Sequence, residues 1–137
     1  MPDKNKTTKQ FDRTAFRHKL RSKRRSLSED ERLSASYEVF RPISRTNLFR
    51  NSQRIAFYLP KDGEIDLELL ITHAFSMKKT CFLPVLDTLT SNRLWFAPFS
   101  ENTSMHCNRY GIPEPDVSMR HHLRACKLDL IFLPLVA

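Results

Sequence analysis

The sequence is short of glycine, with two residues in 137, Gly63 and Gly111. A Walker-type phosphate loop or a Gly-x-Gly-x-x-Gly turn needs several glycines to bring backbone amides against a polyphosphate, so neither can be built here. Cysteine is scarce too, and its three copies, Cys81, Cys107 and Cys126, are odd in number and irregularly spaced. That pattern argues against a disulfide framework and predicts reduced, mostly buried thiols. No Cys-x-x-Cys or His-x-x-x-His pair exists to begin a tetrahedral metal site, so His73, His106, His121 and His122 read as surface residues. The Gly-x-Ser-x-Gly elbow of serine hydrolases is missing as well. No apolar run reaches the length of a membrane span, and the polar N-terminus lacks the apolar centre of a signal peptide. Asp3, Asp12, Glu29, Asp30 and Glu31 argue against a transit peptide, which leaves the cytoplasm as the expected location.

What is present is an ordinary globular composition, 40% hydrophobic and 28% charged, at a length that suits one domain. The net charge of +8 is unevenly placed. Residues 1–54 hold 15 Lys and Arg against 6 acids, a net of +9, whereas the remaining residues hold 8 against 9, a net of −1. A positive field of that kind suits nucleic acid, an acidic membrane surface or a phosphorylated small molecule, and charge alone does not choose among them.

Residues 1–9 show no apolar periodicity and read as a disordered tail. From Lys9 to Arg25 the apolar residues Phe11, Ala15, Phe16 and Leu20 recur near helical spacing. Ser28 with Glu31 forms a capping box, which predicts a second helix with a Leu33, Tyr37 and Phe40 stripe that Pro42 should kink or end. Arg54 to Leu59 reads as a strand, stopped by Pro60 and the Asp62-Gly63 turn. Asp66 can cap a helix striped by Leu67, Leu70, Ile71, Ala74 and Phe75. Thr80–Val85, Arg93–Phe99 and Leu128–Leu133 are strand-like, Asn108–Pro115 reads as a proline-stiffened loop, and Val117–Ala125 as a short helix. Apolar strands separated by helices predict a three-layer α/β/α domain with a mostly parallel sheet and a basic helical N-terminal extension. The chain's apolar ending, Ile131 to Ala137, stops where a ligand-binding loop would follow a parallel strand.

Two features could carry chemistry. Arg13, Arg17, Arg21 and Arg24 lie four, four and three residues apart on one helical face; they could grip a polyphosphate, or simply face water. Glu64 sits just after the first strand, where it could accept hydrogen bonds from an amino-pyrimidine ring; equally, Glu64 and Asp66 could only favour the positive end of the next helix.

Together these segments resemble the 5-formyltetrahydrofolate cyclo-ligase family. The resemblance rests on the basic-x-x-apolar-Arg element from Arg13 to Arg17, Arg24-Arg25-Ser26-Leu27-Ser28, Ile55-Ala56-Phe57-Tyr58-Leu59 and Gly63-Glu64-Ile65-Asp66. Cys81-Phe82-Leu83-Pro84-Val85, Tyr110-Gly111-Ile112-Pro113-Glu114-Pro115 and Leu128 to Ala137 complete it, in the family's order and spacing. The Pro134-Leu135-Val136-Ala137 ending is most similar to the bacterial branch.

The resemblance implies ATP- and Mg²⁺-dependent closure of 5-formyltetrahydrofolate to 5,10-methenyltetrahydrofolate with release of ADP and phosphate. It assigns ATP contacts to Arg13 and Arg17 and substrate contacts to Leu59 and Glu64, with no role for Glu114, where the family tolerates other residues. It also implies that residues 10–137 are the N-terminal part of a single domain, with the Gly-rich phosphate loop and the magnesium ligands beyond residue 137. A polypeptide ending there is expected to be inactive and poorly stable. The expected partner is the folate substrate, with or without a polyglutamate tail, bound by a monomer away from any membrane. The competing readings are a non-catalytic module for RNA or another polyanion, ranked second for want of aromatics among the basic residues, and a remnant without function.

Overall fold

Helix starts are set by side chains that satisfy the first free amides. In the computed structural model, which describes residues 12–87 and 93–135, the Asp12 carboxylate accepts from the amides of Thr14 (2.9 Å) and Ala15 (3.1 Å) and opens α1, Arg13–Arg25. The expected tail at 1–9, and the helical residues expected before Asp12, lie outside the described residues. Helix α2, Glu29–Ile43, begins at the expected capping box: Ser28 Oγ accepts from the Glu31 amide, and Glu31 accepts from the Ser28 amide at 2.7 Å. Pro42 lies in its last turn, and the helix ends one residue later. The inward face of α2 is carried by Ser36, Phe40 and Ile43, while Leu33 and Tyr37 stay exposed, which corrects the predicted stripe. A short helix α3, Asn47–Asn51, follows; five residues are too few for an apolar period to show in sequence.

Strand β1, Arg54–Ala56, lies at the centre of a four-stranded sheet. Helix α4, Glu68–Ser76, carries the expected stripe, with Leu67, Leu70 and Ala74 buried and Ile71 and Phe75 packed against them. Leu67 is its N-cap residue without a side-chain cap, and Asp66 just before it accepts at Oδ1 from the Glu68 amide at 2.9 Å. Then come β2, Thr80–Leu86, and β3, Leu94–Phe99. A hairpin of β4, Met105–Cys107, and β5, Pro113–Pro115, follows, and β6, Leu130–Ile131, closes the order. The sheet runs β3-β2-β1-β6, parallel at β1–β2 and β1–β6 and antiparallel at β2–β3. It is thus a mixed α/β fold with a mostly parallel sheet, as expected. Asp129 aligns β6 with β1: its Oδ2 accepts from the amides of Gln53 (2.9 Å) and Arg54 (2.8 Å).

Alternation along the strands separates two cores. Ile55, Phe57, Cys81 and Leu83 pack with Phe49, Leu67, Leu70 and Ala74 on the helical face. Ala56, Phe82 and Phe96 face the other way, against Leu123, Leu128 and Ile131. There the cover consists of 3-10 turns at Met119–His121 and Ala125–Lys127 rather than the predicted Val117–Ala125 helix. Leu123 exchanges two backbone hydrogen bonds with Phe96 (3.0 and 2.8 Å), and that extended pairing interrupts any helix through it. His73, expected at the surface, is half-buried and stacked on Phe49.

Only one thiol meets the expectation of burial. Cys81 is buried, while Cys107 on the hairpin and Cys126 in a 3-10 turn are exposed. Burial pushes the Cys81 thiol up to about 12, so it stays protonated and unreactive. A thiol-labelling time course should therefore show rapid modification of Cys107 and Cys126, with Cys81 modified only after denaturant is added.

Candidate functional site

The turn after β1 is built on two residues with positive φ, Asp62 (59°) and Gly63 (76°), closed by a bond from the Glu64 amide to the Lys61 carbonyl at 3.2 Å. Two left-handed residues in succession are what a type I′ turn requires, and Asp-Gly is a favoured pair for it. A side chain at Gly63 would also meet the Arg24 carbonyl at 3.3 Å, so the glycine lets α1 lie against the turn.

Three guanidinium groups converge on Asp62. Arg21 donates to Oδ2 at 2.8 Å from Nη2 and 3.1 Å from Nε, Arg24 donates to Oδ2 at 3.3 Å, and Arg25 donates to Oδ1. Arg24 Nε also reaches the Asp62 carbonyl at 3.0 Å, and its Nη1 reaches the Leu135 carbonyl at 3.3 Å. The Arg25 and Arg21 hydrogen bonds hold the Asp62 carboxyl far below the usual carboxylate range.

Beside this clamp lie three hollows that share lining residues. A polar recess of about 270 Å³ is lined by Thr14, Arg17, His18, Arg21 and Arg25. A second, of about 330 Å³, shares Arg21 and Arg25 and adds Arg24, Lys61, Asp62 and Glu64. Lys61 and Glu64 then lead into a mainly apolar cavity of about 360 Å³. Its walls come from the C-terminal ends of the parallel strands: Phe57 and Leu59 after β1, Leu83 and Leu86 on β2, and Phe132 after β6. Phe57 and Phe132 stack at 5.3 Å between ring centres. That end of a parallel sheet is where open α/β folds place ligands.

The structure brings Leu59 and Glu64 into one cavity, and places Arg17, but not Arg13, on the adjoining polar recess. Arg13 is exposed one turn earlier on α1, and among the described residues neither arginine forms an ion pair. Arg21 and Arg24, the other members of the arginine face, are engaged by Asp62. Glu64 turns back on its own loop, accepting from the Lys61 amide at 3.1 Å, while Asp66 is the carboxylate that accepts from the start of α4. Tyr58 shares the cavity and donates to the Ile65 carbonyl at 2.9 Å; burial, then the charges of Glu64 and Asp66, push its hydroxyl pKa up.

The arginine-lined recess fits a polyphosphate, since exposed guanidinium forks match phosphate oxygens. Magnesium is a different matter. Among the described residues no group of three or more His, Cys, Asp or Glu side chains could hold a metal ion. Glu114, to which the resemblance assigns no role, is 4% exposed and lines the apolar cavity. Its contact with β2 is tertiary and leaves no local signal.

Fold and site define a mixed α/β protein with a ring-sized apolar cavity at the ends of its parallel strands, joined to a strip of arginines. The chain belongs to the 5-formyltetrahydrofolate cyclo-ligase family, whose sequence profile matches residues 9–137. It is 32% identical over 125 residues to the 5-formyltetrahydrofolate cyclo-ligase of Haemophilus influenzae, covering 91% of this chain and 67% of that protein. The enzyme of that name from Mus musculus is 30% identical over 129 residues, covering 87% and 61%. The solution structure of Aquifex aeolicus 5,10-methenyltetrahydrofolate synthetase superposes with a TM-score of 0.77 at 27% identity, over 90% of this chain and 61% of that one. The chain therefore spans about two thirds of the length of the relatives it matches. Among the described residues no helix is long and apolar enough to cross a membrane.

The clamp gives a pH prediction. A carboxyl whose folded pKa is depressed contributes stability that is fully present above its ordinary value of about 4 and is lost only as pH falls towards the depressed one. The attachment of α1 should hold from neutral pH down to about 4 and fail in stronger acid. Asp62→Asn should release it at neutral pH, measured as faster tryptic cleavage within residues 13–25, with the rest of the chain protected.

Proposed function

We propose that this chain binds 5-formyltetrahydrofolate in the apolar cavity beside Glu64 and the ATP phosphates along the recess beside Arg17, and that it contributes both sites to ATP-dependent closure to 5,10-methenyltetrahydrofolate. The observation that carries the reading is that neighbouring hollows share lining residues, Arg21 and Arg25 on one side and Lys61 and Glu64 on the other. A flat heterocycle needs apolar walls with one acceptor at the rim, and a polyphosphate needs guanidinium groups; here Glu64 stands where the two meet. Leu59 and the stacked Phe57–Phe132 pair give the ring a surface, and Glu64 accepts from its N–H edge. Holding two reactants side by side, with water displaced by apolar walls, is the main service a protein gives to such a reaction.

The bound nucleotide supplies the phosphoryl group that turns the formyl oxygen into a leaving group. The protein's own part, on this reading, is orientation: Arg17 with Arg21 and Arg25 set the phosphates, and Asp62 fixes the last two of these arginines relative to Glu64. Arg13, one turn away, reaches the outer end of the nucleotide. No step is assigned to Mg²⁺, because the described residues do not form a site for it.

A polyanion-binding module remains the second reading because α1 is basic and has no fully buried residue. The two separate by salt and by mutation. Calorimetric titration should show Glu64→Ala weakening folate binding by about tenfold or more, as for loss of a charged acceptor, with ATP affinity kept. Arg17→Ala should do the reverse. Polyanion binding should instead collapse with added salt and ignore Glu64.

A further inference from the structure

The wall of the apolar cavity opposite β1 is the β4–β5 hairpin. Its Pro115 is fully buried, and polar bonds add to that attachment. It is fastened by Glu114, a carboxylate only 4% exposed. Glu114 Oε1 accepts from the backbone amide of Leu86, at the end of β2 (2.9 Å), and from Asn108 Nδ2 (2.7 Å). Asn108 also closes the loop: its Oδ1 accepts from the amides of Tyr110 (2.9 Å) and Ile112 (3.1 Å), and its own amide donates to the Ile112 carbonyl at 2.9 Å. A second tie runs from Lys61 Nζ to the Tyr110 carbonyl at 3.2 Å, joining the hairpin to the turn that carries Glu64. His106 Nε2 lies 3.8 Å from Glu114 Oε2, and Lys61 and Glu64 line the same cavity.

We infer that Glu114 is a positioning residue for the ligand cavity, holding the Asn108–Pro113 wall at a fixed distance from Leu59 and Glu64. This rests on the reading of that cavity as the folate site. Burying a carboxylate is costly unless its oxygens are satisfied, and here two N–H donors on one oxygen offset that cost. The sheet has its own pairing there, because β3 pairs with β2 from Cys81 to Leu86 and β1 pairs with it from Thr80 to Phe82. What the bond fixes is the wall: Leu86, Asn108, Ile112 and Glu114 all line the cavity.

Two variants separate positioning from bulk stability. Glu114→Gln keeps an acceptor for both donors, so the affinity for 5-formyltetrahydrofolate should stay within about twofold. Asn108→Asp keeps the acceptor that closes the loop but sets a second carboxylate against Glu114. Affinity should then fall about tenfold or more, with faster amide exchange across residues 105–115 and little change in the thermal midpoint. Wild-type affinity in Asn108→Asp, or a loss in Glu114→Gln as large as in Asn108→Asp, would overturn the inference. Wild-type chain that fails to bind folate would refute the cavity assignment instead, and the exchange pattern of the two variants would still decide whether Glu114 holds the hairpin.

Discussion

Three guanidinium groups from α1 meet one carboxylate at Asp62, and through that contact a helix with no fully buried residue is fastened to the rest of the chain. A thirteen-residue helix is marginal in water by itself, and a single exposed ion pair adds little. A carboxylate shared by three arginines, one of them three-quarters or more buried, is a different object, because the pairs reinforce one another. The clamp also depends on backbone geometry. Asp62 and Gly63 both take positive φ, and a side chain at Gly63 would sit tightly against the Arg24 carbonyl, at 3.3 Å. Electrostatics and a two-residue turn thus decide together where the arginine strip lies relative to Glu64.

The sheet supplies the other half of the site. Parallel pairing of β1 with β2 and β6 brings three strand ends to one place, and the antiparallel β3 extends β2 without adding another end there. Beyond Ala56 the chain leaves the ladder, with Phe57 making the last bond to Phe82 at 2.9 Å, and turns into Leu59 and the Asp62-Gly63 turn. A gap therefore opens above the sheet between the β1 turn and the β4–β5 hairpin. Apolar side chains from Phe57, Leu83 and Phe132 make its walls, while charge is kept to Lys61, Glu64 and Glu114. Such a division suits a ligand with a flat ring and a few polar edges.

Much of this was legible in the sequence where a local cause sufficed. The Ser28–Glu31 box, the α4 stripe and the β2 and β3 strands follow from capping and periodicity, and the Asp-Gly turn from its dipeptide. Where tertiary contacts decided, the sequence misled. Leu33 and Tyr37 look like core residues, yet α2 turns Ser36 and Phe40 inward. Val117–Ala125 has helical composition, yet Leu123 pairs as a strand with Phe96. Of the candidate site, Glu64 could be proposed from its place after a strand and Leu59 from the family resemblance, but the arginine face could not be divided by sequence. Spacing makes Arg13, Arg17, Arg21 and Arg24 equivalent; only the position of Asp62 separates the clamped pair from Arg17. Glu114 was out of reach for the same reason, since its partner Leu86 is 28 residues away.

The most direct test of the central claim is to follow backbone amide resonances of the chain while 5-formyltetrahydrofolate is added. The account predicts shifts concentrated at Phe57–Glu64, Leu83–Leu86 and Asn108–Glu114, the three segments that face one another across the cavity. Shifts confined to α1 or to the outer face of α2, or none at ligand concentrations that saturate related enzymes, would contradict it.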